Sequence, residues 1–326
     1  MRLLLKFLPD KPDIPWMKWR YYLVVLSAIL TVGSLVLLST RGLNFGVDFR
    51  GGTTIEVVDD KPISLSDIRS AVGRLGLGET SVQSIRDFAG SQEAVVVFVE
   101  RQDAPAGTSE VEANQLQQAA AEKIQDAITS LLGDGVEFRR IDVVGPTVSG
   151  ELVRTGFLAV GLSIALMLIY IWFRFEWQFG IATVLALLHD SIVALGLLSI
   201  TGYEFSVASI AAILTIIGYS VNDTVVVFDR VRENLRKYKQ KSIGEILDLS
   251  INETLARTIM TSGTTLMALI VLVIFGGEVL RGFTMAIVFG IVIGTYSSIF
   301  VGAPFVMATG VKRDWSKVKM AVPATP

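Results

Sequence analysis

The sequence predicts a polytopic α-helical membrane protein with six transmembrane helices and one small α+β extramembrane domain set between the first two. Three observations carry this. Of the 326 residues, 51% are hydrophobic and the mean hydropathy is +0.56, too apolar for an ordinary water-soluble chain. Apolar runs of about 20 residues, the length needed to cross a bilayer, recur six times. The only long polar region, from Arg41 to about Glu151, separates the first run from the second.

Composition also excludes chemistry. There are no cysteines, so disulfides, thiolate catalysis and cysteine-held metals are out. A single histidine excludes a multi-histidine metal site. A net charge of −2 gives no electrostatic footprint for nucleic acid, and no cofactor is expected. No nucleophile–base set is visible, which argues against an enzyme.

Residues 1–20 carry Arg2, Lys6, Lys11, Lys18 and Arg20, with Trp16 and Trp19 just before the first apolar run. Flanking basic residues mark the cytoplasmic side and tryptophans favour the interface. The first span is Tyr21–Ser39, read as a retained anchor because no small-residue cleavage site follows it. It delivers residues 41–151 to the far side. There, 43–58 (LNFGVDFRGGTTIEVV) alternates around a Gly-Gly break and suggests one strand or two short ones. Ser64 with Asp67, and Ser109 with Glu112, have capping-box spacing and open helices reaching about Leu75 and Leu132. Ser81–Phe88, Ala94–Glu100 and Val136–Val144 read as strands. The order β-α-β-β-α-β is that of a ferredoxin-like split unit. Ala104–Gly107 reads as a loop. Asp48 beside two glycines suggests a phosphate or metal site, but a turn needing glycine explains it better.

The remaining spans are Thr155–Phe173, Phe179–Ile200, Phe205–Phe228, Thr258–Phe275 and Phe283–Met307, with residues 155–307 forming the bulk of the membrane domain. The connection 229–257 is the densest basic segment, and Lys312, Arg313, Lys317 and Lys319 close the chain in a tail, 308–326. Counting from an inside N-terminus, every Lys/Arg-rich connection falls on the cytoplasmic side, and so do both termini. Residues 242–256 suggest a separate interfacial helix before the fifth span.

The candidate site is the polar set inside the spans. Asn222, Asp223 and Thr224 sit within the fourth apolar run. A carboxylate there costs roughly 2.5–3.5 kcal/mol on insertion scales, so Asp223 is expected to face protein or water. The alternative is a snorkelling or capping role near the interface, though aspartate is too short to snorkel far. Asp223 would lie about five residues, or ~8 Å, from the end of its helix. Arg257 enters the fifth span from the same side, making a salt bridge feasible. It also fits a simple positive-inside anchor. Thr254, Arg257, Thr258, Thr261 and Thr265 share one helical face, which suits either an ion path or helix packing through back-bonded hydroxyls. His189 and Asp190 fall near the middle of the third span and could pair with each other. Together Asp223, Arg257, His189, Asp190, Asn222, Thr224 and Thr261 are the parts of a proton relay. Asp223 could release a proton when Arg257 is close and rebind it when they separate.

Five motifs carry a resemblance. GVDFRGGT (46–53), DVVGPTVSGEL (142–152), LHD (188–190), GYSVNDTVVVFDRVREN (218–234) and ETLARTIMTSGTT (253–265) resemble the SecF subunits of the bacterial protein-export machinery, half of an RND-superfamily transporter. Ser149 and Ser262-Gly263 depart from the usual pattern without touching the charged set. The resemblance implies six spans in the bacterial inner membrane with a periplasmic domain. It implies a SecD-like six-span partner, and work beside the SecYEG channel on a translocating preprotein, driven by the proton gradient. It ties Asp223, in VNDT, and Arg257 to proton transport. The competing readings are half of a small-molecule RND exporter, or a purely structural subunit in which Asp223 and Arg257 lock helices.

Overall fold

A computed structural model of the chain describes residues 12–59, 62–86, 93–102, 108–133 and 135–311. The expected 104–107 loop, the first basic residues and Lys312, Arg313, Lys317 and Lys319 lie outside these. A 3-10 turn, Trp16–Lys18, leads into α1, Arg20–Thr40. The extramembrane part follows: β1 (Asn44–Phe45), α2 (Val47–Arg50), β2 (Gly52–Val58), α3 (Leu65–Gly73), β3 (Thr80–Arg86), β4 (Glu93–Val99), α4 (Glu110–Leu132) and β5 (Glu137–Val144). The chain returns through α5 (Pro146–Arg174), α6 (Trp177–Thr201), β6 (Glu204–Phe205), α7 (Val207–Lys237), α8 (Ile243–Phe275) and α9 (Gly277–Ser297). A π-helical turn, Ser298–Gly302, and α10 (Ala303–Thr309) complete the last apolar helix.

Six of these helical segments are long and apolar enough to cross a membrane. They are not equivalent. In the apolar windows of α6, α7 and the α9–α10 segment 56% of residues are buried, against 6–11% in α1, α5 and α8. The first three therefore form the centre, with α1 against α6 and α8 against α7 and α9. A helix apolar all round can occupy either place, so sequence periodicity alone does not separate them.

The extramembrane sheet has the order β3-β4-β2-β5, every pair antiparallel, compatible with the ferredoxin-like unit. Alternate residues of its strands (Ile55, Val57, Val82, Val95, Val97, Val99) meet Ile68 and Val72 of α3 and Ile124 and Ile128 of α4 in one core. Ser109 and Glu112 form both halves of a capping box. Ser64 caps α3 by accepting the Asp67 N–H, but the return bond is not found; aspartate is one methylene shorter than the glutamate of that motif.

Several elements differ from expectation. A short helix, α2, interrupts 43–58 between β1 and β2. The helix of the fourth span runs on past Phe228: α7 continues to Lys237, because Val231 and Leu235 stay buried in the core that also holds Ile246, Leu247 and Ile251. Residues 242–256 are not a separate interfacial helix but the start of α8, opened by a Ser242–Glu245 capping box. Their buried apolar residues Ile246, Leu247 and Ile251 pack with Val231 and Leu235 of the α7 extension, in the first turns of one continuous helix.

Candidate functional site

One face of the membrane domain is tied directly to the extramembrane domain. β1 pairs in parallel with β6, Asn44 opposite Glu204 and Phe45 opposite Phe205. The Asn44 side-chain amide donates to the Gly202 carbonyl at 3.0 Å, the Gly46 N–H donates to the Phe205 carbonyl at 3.0 Å, and the Val47 N–H donates to Glu204 Oε1 at 3.3 Å. Phe45, Phe49 and Phe205 cluster with ring centroids 5.4–6.0 Å apart. Asp48 then accepts the Val207 N–H at 2.9 Å, capping the first turn of α7. A carboxylate is favoured there because the first helical N–H groups lack partners and carry the positive end of the dipole. The observed work of Asp48 is thus that of a helix cap. The two glycines that follow are needed by the backbone: Gly51 and Gly52 have φ of 71° and 120°, and a Cβ on Gly52 would stand 2.5 Å from the Val99 carbonyl oxygen.

Below that clamp, α7 carries Ser220, Asn222, Asp223 and Thr224. Asp223 is 3% exposed and Thr224 fully buried, whereas Asn222 is exposed. Asp223 thus points into protein. Around it stand the Ser262 hydroxyl of α8 and Thr295 of α9, which bond to each other at 2.9 Å. Asp223 Oδ2 is buried with no hydrogen-bond partner among the described residues, as is Thr224 Oγ1. A buried carboxylate oxygen without a partner is costly and asks for an explanation beyond packing. Arg257 acts on Asp223 through space, but no ion pair within 4.0 Å joins them. Its side chain is exposed on α8.

His189 and Asp190 on α6 form a second cluster. Asp190 Oδ1 meets His189 Nδ1 at 2.9 Å, while Oδ2 accepts the Ser220 hydroxyl at 2.6 Å and the Ser297 hydroxyl at 2.7 Å. Asp190 is fully buried and joins α6, α7 and α9 at one point. Ser297 is the last residue before the π-helical turn, a local irregularity that often marks functional positions. His189 Nε2 is buried without a partner among the described residues. The two clusters are linked along helices: Ser220 and Asp223 lie one turn apart on α7, and Thr295 and Ser297 are near neighbours on α9.

Of the expected set, Asp223, Thr224, His189 and Asp190 are buried in the helical core. Thr261 bonds back to the carbonyls of Arg257 and Thr258, both at 3.0 Å, and does not reach Asp223. Of the expected α8 face, Thr254 and Thr258 are buried and Ser262 continues them at a spacing of four, whereas Arg257 is exposed and Thr261 and Thr265 are half-buried. Sequence reasoning missed Ser220, Ser297 and Thr295 as partners. Spacing flags Ser220, one turn before Asp223; nothing along the chain pairs Ser297 or Thr295 with a residue on another helix. Close approach of α7 and α9 requires Gly290, where a Cβ would fall 2.3 Å from Ile216 Cγ1.

Comparison with known proteins agrees with this architecture. The family model described as protein export membrane protein SecD/SecF, C-terminal, matches residues 123–312, and that of the SecD/SecF GG motif matches 36–58. The protein translocase subunit SecF of Cereibacter sphaeroides is 42% identical over 97% of this chain and 96% of its own length. That of Rickettsia bellii is 45% identical over 92% of this chain and 94% of its own. The crystal structure of SecDF, a translocon-associated membrane protein from Thermus thermophilus, superposes with a TM-score of 0.75 at 34% identity, covering 91% of this chain. A second SecDF structure, in a super-membrane-facing form, gives a TM-score of 0.65 at 33% identity over 93%. The chain spans 39% of each of those SecDF chains. With family models over both its first strands and its membrane helices, and relatives matched almost end to end, the chain belongs to the SecD/SecF family and, within it, to the SecF subunits.

Proposed function

We propose that this chain is an accessory subunit of Sec-dependent protein export. It works with a SecD-like six-span partner beside the SecYEG channel and uses the proton gradient to assist preprotein movement or release. The relatives' names, protein translocase subunit, and the SecDF titles of the structural neighbours support the export role and the partner. The Lys/Arg distribution supports placement in the bacterial inner membrane with cytoplasmic termini and a periplasmic 41–151 domain.

The observation that carries the coupling is the half-partnered Asp223 on a helix whose first turn is held by Asp48 of the extramembrane domain. Gain or loss of a proton at Asp223 changes its demand for the Ser262 and Thr295 hydroxyls and for the Arg257 charge. That moves α7 against α8 and α9, and the clamp passes the movement outward. Each charge carried through the field supplies about 2.3 kcal/mol per 100 mV. In this reading Asn222 and Thr261 lie beside the path, and Asp190 with His189 sets the helix geometry around it.

The test is Asp223→Asn in cells and in vesicles holding the chain with its partner. The expected result is normal protein level with loss of both proton flux and the export stimulus. If both survive, the residue only locks helices and the subunit is structural. Extrusion of small molecules by those vesicles would instead favour an exporter half.

A further inference from the structure

Where α5 ends and α7 runs on past Phe228, Arg174, Asp229, Arg232, Glu233, Arg236 and Lys237 line an open cavity of about 510 Å³. One of the cations is unlike an ordinary surface charge. Arg232 is half-buried; its guanidinium lies 5.5 Å from the Phe175 ring centroid, one nitrogen donates to the Arg174 carbonyl at 3.3 Å, and its Nε is buried without a partner among the described residues. Arg236 is exposed and has no ion pair or hydrogen bond among the described residues. The two acidic residues are already engaged: Asp229 pairs with Arg174 at 2.6 Å and Glu233 with Arg230 at 2.5 Å. Arg232 and Arg236 are left at the cavity without a carboxylate partner among the described residues, and Lys237, within electrostatic reach of Glu253 and 5.0 Å from the Tyr238 ring centroid, adds a third positive charge. A cavity of that charge selects an anion, and guanidinium groups suit the oxygens of a phosphate.

The surroundings say which phosphate. Leu158, Leu162, Leu166, Ile169 and Phe173 recur every three or four residues along α5, all exposed, so they form one apolar stripe that ends beside Arg174. Trp172 and Trp177, 81% and 60% exposed, flank the same end, as side chains at a membrane interface do. A ligand with a phosphate in the cavity and hydrocarbon chains along α5 satisfies both features.

We propose that the α5–α7 corner is a binding site for the headgroup of an anionic membrane phospholipid, with Arg232, Arg236 and Lys237 holding the phosphate and the α5 stripe its acyl chains. The site lies apart from Asp223 and does not depend on the proton-coupling reading. Basic pockets between membrane helices on the side of the basic loops are suited to such lipids.

The test uses the chain with its SecD-type partner, purified, stripped of lipid and placed in nanodiscs of phosphatidylcholine alone or with phosphatidylglycerol or cardiolipin. Retained lipid is read by native mass spectrometry and stability by the thermal midpoint. The wild type is expected to keep anionic lipid selectively, with retention falling as salt rises. The triple variant Arg232→Gln, Arg236→Gln, Lys237→Gln should lose about tenfold in retention, and the version with both arginines changed to lysine should keep most of it. Equal retention by the neutral and wild-type chains overturns the proposal. So does a stabilisation by millimolar inorganic phosphate equal to that by lipid, which would mark a site for a soluble anion. If the neutral variant does not fold, a salt-independent retention by the wild type overturns it instead. A partner subunit found covering the α5 stripe in the complex does so too.

Discussion

The Asp190 carboxylate of α6 accepts the Ser297 hydroxyl of α9 at 2.7 Å, on the same oxygen that takes the Ser220 hydroxyl of α7 at 2.6 Å. One oxygen thereby pins the three central helices, one turn from Asp223. Replacing Asp190 by leucine removes the shared acceptor of the Ser220 and Ser297 hydroxyls and the partner of His189 Nδ1, and should cost about 1–3 kcal/mol. Asp190→Asn keeps the shape and an acceptor, and the hydroxyls can rotate to meet its amide, so its cost should be smaller. Thermal midpoints of the purified chain with its partner, wild type against each variant, check the order.

Arg257 offers a second contrast. It stands near Asp223 without contact, so its effect is carried by charge more than by fixed geometry. Arg257→Lys should keep a measurable part of the proton-coupled export, while Arg257→Gln should fall to the level of Asp223→Asn. Export rates with the proton gradient intact and collapsed separate the outcomes; equal loss in both variants would require a geometric role.

The clamp should respond to pH through Glu204, which lies between α6 and α7, outside the membrane-spanning segments. Burial pushes its carboxyl above the usual glutamate value of 4.5, against the opposing pull of Arg140 and the Val47 N–H. Asp48 and Asp142 add to the upward push. A raised carboxyl means that the docked state binds its proton more tightly than the undocked one. Docking therefore gains stability as pH falls towards 4.5 and loses it as pH rises through the docked value. The protection factors of the Gly46 and Val47 amides, with the intrinsic base-catalysed pH dependence of exchange divided out, should rise on acidification in the wild type. In Glu204→Gln, whose amide oxygen still accepts from Val47, that dependence should vanish.

Gly290→Ala should separate α9 from α7, since the new methyl would meet Ile216 well inside contact distance. A loss of about 1–3 kcal/mol is expected, partly recovered by Ile216→Ala, which removes all three of the contacting carbons. The thermal midpoints of the single and double variants give the answer.

The segment 12–19 is held by two side chains of α8, Asp248, whose Oδ1 accepts the Met17 N–H at 2.8 Å, and Asn252. Asn252 Oδ1 accepts the Trp16 indole N–H at 3.0 Å and the Ile14 N–H at 3.3 Å, while its amide donates to the Ile14 carbonyl at 3.0 Å. Asn252→Ala should loosen this strap, leaving only the Asp248 bond, at a cost of about 1–3 kcal/mol, and raise protease cleavage before Arg20.

Much of the architecture is legible along the chain because its signals are local. A bilayer demands runs of fixed length, and strands demand alternation, so six spans and a βαββαβ domain can be read from residues near one another. Asp223 stands out for the same reason: a carboxylate inside an apolar run is anomalous by itself. Ser297 and Thr295 are not, since serine and threonine are ordinary in membrane helices, and only a neighbour on another helix gives them meaning. Asp48 is a clearer case. Its glycine context suggests a turn, whereas its work is to cap α7, some 159 positions further along.

By itself the sequence determined how many helices cross, where the extramembrane domain sits and which acidic group is out of place in lipid. Tertiary packing decided which three helices form the centre, that the buried stripe of α8 runs through Thr258 and Ser262 instead of Arg257 and Thr261, and that the domain is hooked to α7. The physical reason is range. Hydrophobicity and backbone propensity act between neighbours in the chain, while a hydrogen bond or a close helix contact is set by which faces meet, and uniformly apolar helices carry little record of their facing.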